Sequence, residues 1–161
     1  MRDKIVTDKV VTDKVAKSVK ATEIAGLQAA LAAEHAAVYG YGVVGAMLSG
    51  AAGSLAHADW LAHQDARDNL EQMLLHLGAT PVAASPAYEL PFPVTGAASA
   101  VRLAAFLEDG VTEAYLGLVA VTDRTLRSFG ALAMQPPANR ALAWRGSTVA
   151  FPGMPTAPTN A

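Results

Sequence analysis

Between Gly78 and Thr95 the chain carries Pro81, Pro86, Pro91 and Pro93, and neither a helix nor a central strand tolerates prolines at that density. Each one removes a backbone donor and crowds the turn before it. A structureless stretch of this length inside a compact domain usually has a geometrical task. The helical pattern before it ends near Leu77 and is on the order of 35 Å long at 1.5 Å per residue. Extended, the proline-rich segment reaches about 55 Å, enough to return along the whole of that helix. Tyr88, Leu90 and Phe92 supply apolar side chains to pin it there. Short turn, long crossover, short turn is the connectivity of an all-α four-helix bundle with one long crossover between helices two and three.

Apolar residues at steps of three and four mark the buried face of each helix. The first helix is expected from Thr22 to about Ser49, with Gly40, Gly42 and Gly45 reserved for close approach of a neighbour. The turn Ser49–Ser54 offers a serine cap to the second, which Gly78 stops. The third runs from about Ala97 to Val121. Asp123 caps the fourth, which Pro136-Pro137 kinks before it ends near Arg145. The bundle therefore occupies residues 22–146, with a tail over 147–161 expected to be extended and partly docked through Phe151 and Met154.

Residues 1–21 differ in kind. Val6-Thr7-Asp8-Lys9-Val10 repeats at once as Val11-Thr12-Asp13-Lys14-Val15, and a period of five builds no single helical or strand face. This segment is read as a loose or partly helical arm outside the core. It holds Arg2 and every lysine of the chain (Lys4, Lys9, Lys14, Lys17 and Lys20) against three aspartates, so it carries +3 while the rest of a chain of net charge −2 carries −5. An acidic body argues against nucleic-acid binding. No apolar run is long enough for a membrane span, no signal-peptide pattern opens the chain, and there is no cysteine, so a cytoplasmic domain without disulfides or thiolate metal sites is expected.

Every apolar stripe is interrupted by charge. The first reads Leu27, Leu31, Glu34, Val38; the second Trp60, His63, Arg67, Leu70, Leu74; the third Val101, Ala104, Glu108, Val111, Tyr115, Leu118; the fourth Leu126, Phe129, Ala133, Arg140, Trp144. A charge on a buried face is costly unless it is paired or holds a metal. Any specific function is therefore placed on Glu34, His63, Arg67, Glu108 and Arg140, read as a polar network in the core. Antiparallel neighbours share a level when their numbers average to the turn. The mean of 34 and 67 falls in the Ser49–Ser54 turn, and that of 108 and 140 falls beside Asp123, which predicts Glu34–Arg67 and Glu108–Arg140 pairs. The remaining histidines, His35, His57 and His76, are assigned no site role.

The stretches Ala33-Glu34-His35-Ala36-Ala37-Val38-Tyr39-Gly40-Tyr41-Gly42, His63-Gln64-Asp65-Ala66-Arg67-Asp68, Leu90-Pro91-Phe92-Pro93-Val94, Leu107-Glu108-Asp109-Gly110 and Trp144-Arg145-Gly146 resemble a ferritin-like domain-of-unknown-function family of high-GC Gram-positive bacteria, over about residues 24–155. The resemblance implies a ferritin-like four-helix bundle and no established activity. Metal-carrying ferritin-like proteins place a glutamate on two helices and Glu-x-x-His on the other two. Glu34, His63 and Glu108 match such positions, but Trp60 stands where the second-helix glutamate would be, and helix four has neither glutamate nor histidine. No nucleophile elbow or phosphate-binding glycine loop occurs. The expectation is a non-catalytic interaction or scaffold module, a homodimer without cofactor, with interface from the alanine- and glycine-rich faces and Tyr39 and Tyr41. The alternatives are a metal-binding oxidoreductase of the di-iron or di-manganese carboxylate type, or a binder of small anionic ligands.

Overall fold

The computed structural model describes residues 2–149, with side chains from Lys14 onward. Five helices follow in order: α1 (Arg2–Met47), α2 (Gly50–His76), α3 (Ala97–Val119), α4 (Arg124–Ala133) and α5 (Gln135–Arg145). There is no strand among the described residues, and no helix among them is long and apolar enough to cross a membrane. The architecture is an all-α bundle whose fourth arm is divided. The docking expected for Phe151 and Met154 lies outside the described residues.

Two boundaries differ from expectation. No helix begins at Thr22; α1 runs without a break from Arg2 to Met47. The expected Ser49–Ser54 turn shrinks to Leu48 and Ser49, because Gly50 adopts a left-handed φ of 58° that reverses the chain at once. Ser49 sits at the N-cap position of α2 but its side chain makes no capping bond. Asp123 does cap α4, accepting from the Leu126 amide at 2.8 Å. The break between α4 and α5 falls at Met134, which places Pro136 and Pro137 in the first turn of α5, where no intrahelical donor is needed.

The proline-rich segment climbs the side of the bundle as a crossover. Gln28 holds its start from both ends of the amide, donating to the Thr80 carbonyl and accepting from the Val82 amide, each at 2.7 Å. Two turns higher, His35 Nε2 lies 3.1 Å from the Val82 carbonyl, and Tyr39 packs on Tyr88 with ring centroids 5.4 Å apart. Leu90, Phe92 and Val94 then join the core near the start of α3, with Phe92 between Phe106 and the Arg102 guanidinium. Extended backbone without a sheet partner is held here by side chains reaching out from α1 and α3.

The interior has two apolar halves. At the base, where α2 ends and α4 begins, Leu27, Leu31, Leu70, Leu74, Val111, Leu118, Val121 and Leu126 interlock. At the top, Tyr41, Val44, Ala56, Ala100, Leu103, Ala104 and Trp144 pack more thinly, around alanines. Burying one such leucine stabilises by roughly 1.5–3 kcal/mol. α1 packs on α2 and α3, and α3 packs on α4 and α5, whereas α2 meets the α4–α5 pair only sparsely. The charged stripe residues fall between the two apolar halves.

Candidate functional site

His63 stands at the centre. It is fully buried on α2, four residues after Asp59 and seven before Leu70, so all three share one helical face. Its Nδ1 lies 2.6 Å from Glu34 Oε2 and its Nε2 3.1 Å from Glu108 Oε1. With Glu34 and Glu108 ionised, both carboxylates accept, both ring nitrogens donate and the ring is an imidazolium. Burial opposes that charge, but the hydrogen bonds and the charges of Glu108 and Glu34 prevail and raise its pKa to about 9.

The two glutamates are completed by different partners. Glu34, on α1, takes the Tyr115 hydroxyl on its other oxygen at 2.7 Å. Glu108, on α3, gathers three donors on Oε1: the Tyr41 hydroxyl at 2.5 Å, His63 Nε2, and Arg140 Nε at 2.8 Å. Its Oε2 is buried without a protein partner. Burial alone would raise the Glu108 pKa, yet the His63 hydrogen bond and charge, with Arg140 behind them, hold it below the ordinary carboxylate value. Burial pushes the Tyr41 and Tyr115 hydroxyls well above the usual phenol range, with the adjoining carboxylates acting in the same direction, so both are neutral donors.

Asp59 closes the upper edge. Its Oδ2 accepts from Trp144 Nε1 at 2.8 Å and stands 3.4 Å from the Tyr41 hydroxyl, while Oδ1 is 3.9 Å from Arg140 Nε. Burial raises its pKa, partly offset by the Trp144 hydrogen bond. Three carboxylates thus face two cations, and the raised pKa of Asp59 moves it toward taking up a proton. The chain of contacts from Trp144 through Asp59, Tyr41, Glu108, His63 and Glu34 to Tyr115 draws together α5, α2, α1 and α3.

Of the five residues singled out from sequence, the structure brings together Glu34, His63, Glu108 and Arg140. Arg67 stands apart, and the Glu34–Arg67 pair is not formed. Its guanidinium pairs instead with Asp68 at the surface, Nη2 to Oδ1 at 2.7 Å. The level was off by one turn of helix: with the reversal at Leu48 and Ser49, Glu34 falls level with His63, and Arg67 stands four residues, about 6 Å, further down α2. From there its long stem carries the charge to water. Glu34 has both oxygens engaged by His63 and Tyr115. Four members escaped sequence reasoning, namely Tyr41, Asp59, Tyr115 and Trp144. Spacing marked them, since Asp59 precedes His63 by four residues, Trp144 follows Arg140 by four, and Tyr41 and Tyr115 each follow a stripe glutamate by seven.

The dimer face expected at Tyr39 and Tyr41 also changes. Tyr41 is buried with its hydroxyl in the network, and Tyr39 is partly covered by Tyr88 of the crossover. Gly40 gives its space to Leu107, while Gly42 and Gly45 have nothing within 4 Å of where a Cβ would stand. His35, beyond its contact with the crossover, faces Glu71 at 4.0 Å, and His57 stacks on Trp60.

A metal would need free lone pairs, and His63 has none to offer while its two nitrogens donate to carboxylates. Among the described residues no group of three or more histidine, aspartate and glutamate side chains is arranged to hold a metal ion.

Residues 26–156 match the model of a family described as a domain of unknown function (DUF4439). The crystal structure of a conserved hypothetical protein, rv2844, from Mycobacterium tuberculosis is similar to this chain, with 33% sequence identity and a TM-score of 0.75 over 78% of this chain and 96% of that one. No curated protein matches the chain.

Proposed function

The chain belongs to the DUF4439 family, whose description assigns no activity, and we propose that it is a ferritin-like bundle serving as a non-catalytic, homodimeric interaction module. One observation carries this reading. The level of the bundle at which metal-carrying ferritin-like proteins gather carboxylates and histidines around metal ions is here neutralised by the protein itself, with His63 clamped between Glu34 and Glu108 and Arg140 on the latter. The residues present do not fit the metal pair. The helix-four position is a fixed cation that would repel a metal ion, and Trp60, in place of a glutamate, gives its indole proton to the Val38 carbonyl at 3.1 Å.

The hydroxyls and ring nitrogens of the network are all spent on one another, which suits a role in fixing the register of four helices rather than in turning over a substrate. The test is metal content per chain by elemental analysis, with ferroxidase activity beside it. Expected are sub-stoichiometric iron and manganese, removable by chelator without change in stability. About two ions per chain, as in di-metal carboxylate proteins, lost in Glu34→Ala or Glu108→Ala, would overturn the reading.

A further inference from the structure

The family match begins at Gly26, yet α1 begins at Arg2. Its first turns therefore lie ahead of the matched span and ahead of Ile24 and Leu27, the first of α1 in the core among the described side chains. Residues 2–22 amount to about 30 Å of helix. From Lys14 to Thr22 every side chain is exposed except Val19, which is half-buried, and Val15 is 57% exposed. Valine, threonine and aspartate are weak helix formers, so this extension of an anchored helix draws little support from its own composition and gains from a surface to pack on. The core-facing direction of α1, followed downward from Leu27, passes through Glu23, Lys20 and Ala16. Val15 and Val19 fall on one flank of that line and Lys17 on the other. The segment thus presents an apolar edge and a basic edge to whatever lies beneath the base.

The base itself has a matching recess. Where α2 ends, α4 begins and α1 leaves the body, Met73, Leu75, Leu77 and Leu126 line an open groove of about 630 Å³, rimmed by the carboxylates of Glu23 and Asp123. It lies at the base end of the side on which α2 and the α4–α5 pair meet only sparsely. Apolar floor and acidic rim complement the valine edge and the lysine edge, as the −5 of the body complements the +3 of the arm.

We infer that the occupant of this groove is the α1 arm of a second copy of the chain, so that two bundles meet base to base and exchange arms about a two-fold axis. Arm and groove occupy the same end of one molecule, so each copy offers and receives in a single operation and the assembly closes at two. In that arrangement each arm residue lies about 1.5 Å deeper into the partner's body for every position below Glu23, which sets Val19 and Lys20 at the level of the groove and Val15 beyond it, toward the solvent face of α2. The exposed acid Asp68 stands on α2 above the groove, within the reach of Lys17 on such an arm.

This inference rests on the homodimer reading, and two measurements on the full chain separate them. Sedimentation should give a dimer that weakens as salt is raised from about 0.1 M to about 1 M, since exposed opposite charges are screened. Lys17→Glu combined with Lys20→Glu should weaken it at least tenfold while the fold is retained by circular dichroism. The chain has no cysteine, so a Val19→Cys variant mixed with a Thr125→Cys variant offers a clean cross-link. Oxidation should yield a covalent dimer containing both, and Val19→Cys mixed with Leu61→Cys, a surface position higher on α2, should not. A dimer of undiminished affinity in the charge-reversed chain, with no Val19–Thr125 cross-link, overturns the arm exchange and leaves the homodimer reading in place. A monomer at all concentrations overturns both, including one whose arm binds anionic vesicles instead.

Discussion

Removing His63 leaves Glu34 and Glu108 facing one another across a fully buried space, with one cation in place of two. His63→Leu is therefore expected to destabilise by about 3–5 kcal/mol, the usual cost of stripping one partner from a buried ion pair, as read from urea unfolding. Asp59 should behave differently. Its carboxyl is the one pushed toward the neutral form, and an asparagine oxygen can still accept from Trp144, so Asp59→Asn is expected to cost less than about 1 kcal/mol at neutral pH. A loss as large as that of His63→Leu would show that Asp59 is ionised and needed as a charge. Arg67→Met should fall within about 1 kcal/mol of the parent, because its partner among the described residues is a surface aspartate. Four of the eight network positions were legible because a charge inside an apolar stripe is rare enough to signal itself. Arg67 misled because the turn is shorter than its glycines and serines suggested, which moves the level of Glu34 from Arg67 to His63, and the tyrosines were missed because an aromatic on a stripe reads as core.

Helices obey their punctuation where it is strong and override it where it is weak. The crossover was legible in full, since four prolines leave the chain no alternative, and so was the break in helix four. The start of α1 was not. Thr22-Glu23 is a possible cap, but no glycine or proline precedes it, and a helix already anchored from Ile24 onward extends backward at one hydrogen bond per residue without a new nucleus. Glycines show the same limit, because Gly40 and Gly42 are alike in sequence and opposite in space. A Cβ on Gly40 would stand 2.5 Å from Leu107 Cδ1, whereas one on Gly42 meets nothing within 4 Å. Gly40→Ala is expected to destabilise by about 1–3 kcal/mol through overpacking, and Gly42→Ala to stabilise by roughly 0.5–1 kcal/mol through helix propensity. Thermal melts of the two single variants check this, and a Gly40→Ala protein as stable as Gly42→Ala would show that α1 and α3 are not in close contact there.

For the molecule as a whole, the buried charges set how stability varies with pH. His63 holds its proton more tightly folded than unfolded, so its contribution is complete below the ordinary histidine value of about 6.5 and is lost as pH rises through about 9. Shifted by that much, it accounts for about 3 kcal/mol at most. Glu108 has the opposite sign: its lowered pKa gives stability that is present above the ordinary carboxylate value and lost as pH falls through the folded one. Asp59, with its raised pKa, softens the acid limb, because protonating it relieves a buried charge. The two tyrosines are held neutral when folded, so their own loss belongs above the usual phenol value of about 10 and leaves the range from 6.5 to 9 to His63. Urea midpoints should therefore peak on the acid side of neutrality and decline from about pH 6.5 to 9. In His63→Gln, which cannot carry the charge, the whole curve should lie lower and that alkaline decline should flatten, while the acid limb remains. An alkaline decline of unchanged size in His63→Gln would mean that the imidazole is neutral in the native bundle, and that the clamp between Glu34 and Glu108 is held by a proton on a carboxyl instead.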